Sequence, residues 1–166
     1  MKNIFQLLAL LLLISNISVA QKKGKQNMAG EYSYESECLG VEGDGSQTIK
    51  TFGFGNSRND AIEQAKKNGV RDVLFKGIIK GKQECNMKPV VGEVNAREKY
   101  EDYFNKFFTD DGPYKEFVSM NDEPIKITSR VTDRKKATNG VTYGLVLQIR
   151  RAELKQQMIK DNILKP

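Results

Sequence analysis

Histidine is missing from this 166-residue chain, and so is tryptophan. Without histidine there is no Ser-His or Cys-His nucleophile system and no His-ligated zinc. The usual proton shuttle at neutral pH is gone as well. Without tryptophan the strongest aromatic platform for cations is absent. Cysteine occurs twice, as Cys38 and Cys85, with no C-x-x-C spacing, which argues against a dithiol redox centre. Long apolar runs are lacking too. The stretch from Ile4 to Ile14, broken by Gln6, is about 11 residues, and a bilayer span takes roughly 20. No paired carboxylates or lysine-activated nucleophile emerge from the spacing. The chain therefore reads as a non-enzyme with no cofactor and no metal.

What is present begins with an address. Lys2, the apolar run and the small residues Ser18-Val19-Ala20 form a secretory signal peptide over residues 1–20, cleaved after Ala20. The mature chain would be periplasmic or, alternatively, secreted, without a membrane-spanning segment. Residues 21–30 read as a flexible basic leader. An exported chain with an even number of cysteines predicts a disulfide between Cys38 and Cys85. The 27 basic and 21 acidic side chains give a net charge of +6, or +5 without Lys2. That excess favours anionic surfaces but does not by itself specify nucleic acid, which an exported protein meets little of.

From Glu31 the pattern alternates. Tyr32, Tyr34, Ser36 and Cys38 share one face of a strand, and Glu31, Ser33, Glu35 and Glu37 share the other. The three glycines of GVEGDGSQ mark a turn, and a second strand runs from Gln47 to Phe54. Helical spacing follows in Ala61, Ile62, Ala65, Gly69, Val70, Val73, Leu74 and Ile78. A loop carrying Cys85 and the apolar Pro89-Val90-Val91, a candidate subunit contact, precedes a second helix. That helix starts near Asn95, which pairs with Glu98 as a cap, and carries Tyr100, Tyr103, Phe104, Phe107 and Phe108. This aromatic stripe reads as core rather than as a ligand groove. Two alternating segments, from Ile125 and from Val141 to Ile149, form a final hairpin with Asn139-Gly140 between them. Weak helical character ends the chain. The order β-β-α-α-β-β predicts an α+β domain over 31–151, a four-stranded and mostly antiparallel sheet with helices packed on one face, and a helical tail over 152–166.

The stretch Gly53-Phe54-Gly55-Asn56-Ser57-Arg58 has the strand-glycine-helix order of a nucleotide loop, but Arg58 stands where the dinucleotide fingerprint needs a small residue. The glycines are expected to permit a bulge or a sharp exit from the strand, with Ser57 and Asp60 forming a capping box. Glu31, Glu35 and Glu37, with Asp44, are taken as a solvated strand face rather than a calcium site. Arg58, Lys66, Lys67, Arg71 and Lys76 give the first helix a basic face that serves as a possible anion or partner surface. Further positive charge lies at Arg134-Lys135-Lys136 and at Arg150-Arg151.

The glycine-ended strand and the helix RNDAIEQAKKNGVRDVLFKGI, through Gly53, Gly55, Ala61, Ala65, Val73, Leu74 and Ile78, resemble LPP-type outer-envelope lipoproteins. They also resemble the N-terminal domain of the periplasmic flagellar-assembly protein FlgT. About 30 residues carry the likeness. It implies a bacterial cell-envelope α/β module with a structural or assembly role and no catalysis. This chain lacks a lipobox cysteine, which sets it apart from lipoproteins. The expected partner is an envelope protein. The alternative is an anionic glycolipid such as lipopolysaccharide, or a wall polysaccharide, held by the basic helix face.

Overall fold

The computed structural model describes residues 35–85, 88–122, 124–127 and 140–165. The predicted signal peptide, the predicted basic leader, Tyr32 and Tyr34 of the predicted first strand, and Arg134-Lys135-Lys136 lie outside the described residues.

Strand β1 (Glu37–Val41) turns into β2 (Gln47–Gly55) and pairs with it antiparallel, with a bulge between Cys38 and Gly40. The turn is closed by local chemistry. The Asp44 carboxylate accepts from the Ser46 N–H at 2.8 Å, and Gly45 takes the positive φ of 83° that side chains resist. Helix α1 (Arg58–Arg71) continues into a π-helical turn, Asp72–Lys76, which ends at Gly77 with φ 77°. A widened turn disturbs the carbonyl ladder, and the following loop satisfies two of its groups. Val73 and Leu74 carbonyls accept from the N–H groups of Val90 and Val91 at 3.0 and 2.8 Å. Both valines are buried in the hydrophobic core, so this segment, a candidate subunit contact in the sequence, contributes Val90 and Val91 to the core instead.

Strand β3 (Lys80–Gly81) runs parallel to β1, and the disulfide between Cys38 and Cys85 ties the two together just beyond it. Two short helices follow, α2 (Ala96–Lys99) and α3 (Glu101–Phe107). The single helix predicted here is broken at Tyr100, whose φ of −116° and ψ of 36° are not helical, and the Asn95 side chain makes no capping hydrogen bond. A 3₁₀ helix (Pro113–Phe117) leads into β4 (Val118–Met120), β5 (Ile125–Ile127), β6 (Val141–Ile149) and helix α4 (Arg151–Lys160).

The sheet order is β3-β1-β2-β6-β4, with β5 also on β6. Met120 opposes Leu147 and Ile125 opposes Gly144, so β4 and β5 occupy successive stretches of one edge. The α+β class holds, while the four-stranded sheet is corrected to a mixed sheet of six segments in five rows. Segments of two and three residues are too short to show alternation, which is why β3 and β4 escaped the sequence pattern.

Helix α1 covers one face of the sheet. Beneath it lie Ile49, Leu145, Leu147 and Ile149, all essentially inaccessible, and Ala61, Ala65, Val70 and Leu74 meet them from above. Buried Phe104, Phe107, Tyr114 and Phe117 extend this core, as do Leu154, Met158 and Ile163 of the C-terminal segment. On the opposite face Phe54 and Ile125 stay more than half exposed.

The glycines of β2 do something other than bend the strand. Pairing with β6 runs unbroken from Gln47↔Ile149 to Gly55↔Val141, with no bulge or early exit. A Cβ on Gly53 would stand 2.0 Å from the Ala61 carbonyl oxygen and 2.3 Å from the Ala65 nitrogen. One on Gly55 would stand 2.5 Å from the Ala61 nitrogen. The glycines therefore let the helix backbone touch the strand backbone at Ala61 and Ala65, while Gly69 one turn on lies over the Ile49, Thr51 and Leu147 side chains.

Candidate functional site

The start of α1 is chemically closed. Ser57 Oγ accepts from the Asp60 N–H at 3.2 Å, and Asp60 Oδ2 accepts from the Ser57 N–H at 3.1 Å. This is the capping box expected from the sequence, and it occupies donors that a bound phosphate would need. The Arg58 guanidinium lies over the Tyr143 ring, 5.9 Å from its centre.

The remaining residues of the predicted basic face go to separate environments. Lys66 pairs with Glu63 one turn earlier at 3.2 Å. Lys67 is largely covered, reaching Asp110 at 2.6 Å and the Tyr114 ring at 5.7 Å. Lys76 is exposed beside Ser36, Asp72 and Lys80, around a space scarcely large enough for water. Arg71 turns the other way, onto the Phe108 ring at 5.1 Å.

Glu63 anchors a polar cluster at the lysine end. It accepts from the Tyr114 hydroxyl at 2.5 Å and stands 3.7 Å from Lys115. Burial works to raise the Glu63 pKa, yet the hydrogen bonds from Tyr114 and Lys66 outweigh it and hold the carboxyl below its ordinary range. Burial, followed by the bond to Glu63, pushes the Tyr114 phenol well above its ordinary value. Tyr103 behaves alike, through burial and then its 2.5 Å bond to Asp161.

Arg71 opens onto a cleft of about 420 Å³ between α1 and the α2–α3 segment. Its other walls are Arg97, Glu98, Glu101, Phe104, Asn105 and Phe108. The helical period accounts for the grouping. Glu101 and Asn105 lie one turn apart on α3, as do Phe104 and the C-terminal capping residue Phe108, so one polar row and one aromatic row border the same space. Phe104 packs inward against Phe75, with ring centres 4.8 Å apart, and thereby fixes α3 to the end of α1. The aromatic stripe expected to be core is core at Phe104 and Phe107, while the partly buried Phe108 also borders the opening.

The charges in this cleft are not paired with one another. Among the described residues, Arg71, Arg97, Glu98 and Glu101 enter no ion pair within 4.0 Å. Burial lowers the Arg71 pKa and repulsion from Arg97 adds to this, against a smaller pull from Asp72. The Asp72 carboxylate itself is held by the Ser36 hydroxyl at 2.5 Å. Of the predicted surface residues only Arg71 reaches the cleft. Arg97, Glu101 and Asn105 went unnoticed in the sequence, and Glu98 was read only as a capping partner of Asn95. Their three- and four-residue spacing was a visible signal, but nothing in it announced that α3 would fold back against Arg71.

No group of three or more histidine, cysteine, aspartate or glutamate side chains gathers as a metal site among the described residues. Arg150 pairs with Glu153 at 3.1 Å, and Arg151 donates to the Lys88 carbonyl at 2.9 Å. No described helix is long and apolar enough to cross a membrane. Compared with known proteins, the chain matches no family model, no curated protein and no solved structure.

Proposed function

We propose that this is an exported, non-enzymatic domain of the bacterial envelope that works by protein–protein contact, as a structural or assembly component. The observation that carries the reading is the cleft. A half-buried arginine stacked on an aromatic ring, with a second arginine beside it, has the composition of a contact hot spot. The disulfide supports a site of action outside the reducing cytosol. The likeness of its strand-helix segment to envelope assembly proteins points in the same direction.

The alternative, an anionic glycolipid or wall polymer on the basic helix face, is favoured less. Lys66 and Lys67 are already engaged by Glu63 and Asp110, and Arg71 faces away into the cleft. A photo-crosslinking amino acid placed at Asn105 in the mature protein, expressed in its own host, tests the choice. A discrete protein adduct that is lost in Arg97→Gln supports the reading. Adducts only with glycolipid or polysaccharide, removed by high salt, would replace it with the alternative.

A further inference from the structure

We infer that the cleft between α1 and α3 takes a partner segment carrying both signs of charge, with its carboxylate to Arg71 and Arg97, its cation to Glu98 and Glu101, and an apolar side chain on Phe108. This rests on the protein-contact reading above and adds the chemistry of the partner.

Three features lead to it. First, the lining charges cancel: two guanidinium groups stand with two carboxylates. A polyanion attracted by the arginines would meet both glutamates, whereas a peptide bearing acidic and basic side chains satisfies all four groups. Second, none of the four is paired within the described residues, although opposite charges border one small space. Residues of this kind normally relieve one another when geometry permits. Here two like-charged arginines line the same cleft, and a carboxylate between them would offset their repulsion while accepting from both planar groups. Third, the Phe108 ring under Arg71 is only partly buried, which leaves apolar surface beside the charges. A volume of about 420 Å³ holds a few side chains, within the range of roughly 300–1,000 Å³ typical of small binding sites.

The test is a titration of the folded, ¹⁵N-labelled mature protein with the blocked tripeptide Glu-Phe-Lys. The side-chain Nε–H signals of Arg71 and Arg97 and the Phe108 ring are followed. Gln-Phe-Lys, Glu-Phe-Gln and inorganic phosphate serve as comparators. The proposal expects the charged peptide to move these signals and each neutralised peptide to bind about tenfold more weakly, as loss of one charged contact would give. Phosphate should leave them in place. Arg97→Gln should abolish the preference for Glu over Gln, and Glu101→Gln should weaken the preference for Lys. Both positions are exposed, so the test survives if the half-buried Arg71→Met disturbs folding. Equal binding of the neutral peptides, a phosphate response at the same signals, or no peptide response would overturn the proposal. A protein adduct at Asn105 without tripeptide binding would keep the contact function and discard this charge pairing.

Discussion

Gly53→Ala is the substitution that probes the fold most directly. In an ordinary strand the added methyl should help, since glycine costs roughly 0.5–1 kcal/mol relative to alanine. Here the new Cβ would sit 2.0 Å from the Ala61 oxygen and 2.3 Å from the Ala65 nitrogen. Both atoms are backbone, so no rotamer change relieves the contact and α1 must lift from the sheet. Separating the helix opens space above Ile49, Leu145 and Leu147, which are packed to zero or near-zero exposure. Overpacking of this kind costs about 1–3 kcal/mol and occasionally more. A loss of about 3 kcal/mol should lower the melting temperature by roughly 10 °C for a domain of this size. The assay is paired thermal and urea unfolding of residues 21–166. Gly43→Ala serves as control, because its Cβ would meet nothing within 4 Å. Adding Ala61→Gly or Ala65→Gly to Gly53→Ala should not restore stability, since neither removes a backbone atom. A Gly53→Ala protein that melts within about 2 °C of the parent, or one rescued by those glycines, would refute the close-packing argument.

Further outcomes follow from the same structure. Replacing Cys38 and Cys85 together by serine should cost about 4 kcal/mol in the chain-entropy model, given a separation of 47 residues, measured by urea unfolding against the oxidised parent. Ser57→Ala removes one half of the capping box and should cost about 1 kcal/mol, with Ser57→Asp retaining most of the stability. The Tyr114–Glu63 pair gives stability two pH limits. The Tyr114 pKa is raised above its ordinary 10.0, so its contribution is complete below that value and is lost as pH rises through the raised one. The Glu63 pKa is lowered from 4.5, so its contribution is present above that value and is lost as pH falls through the lowered one. Melting temperature should therefore decline on the alkaline side above pH 10.0, and Tyr114→Phe should reduce that decline while Tyr103 keeps its own share.

The long elements were legible because their periods are clean. Gln47 to Phe54 and Val141 to Ile149 alternate, and Ala61 to Val73 repeats at helical spacing, so strand and helix emerge without three-dimensional knowledge. Ser57 and Asp60 were legible because a capping box is chemistry confined to four residues. The role of Gly53 was not. A glycine beside a helix signals either a bend or a close approach, and only the path of α1 over β2 decides between them. The break at Tyr100 was hidden because the aromatic spacing runs straight through it. The cleft was hidden for a deeper reason. Arg71 and Arg97 are brought together by the route of the chain after Arg71, which includes the π turn and the loop pinned through Val90 and Val91, and local spacing carries no record of that route.

The order of strands also constrains how this protein is made. β2 lies beside β6 at the middle of the sheet, so Gln47 has to find Ile149, nearly at the end of the chain. Contacts of such long range close slowly, because much of the chain must be ordered before any of them is rewarded. The disulfide partners are nearer in sequence and both precede the last strand. A chain emerging from its N-terminus presents Cys38 and Cys85 before β6 exists. The cross-link can thus form first and hold β1 against the loop after β3 as a half-built template. The final strand then completes a frame already fastened at its far edge.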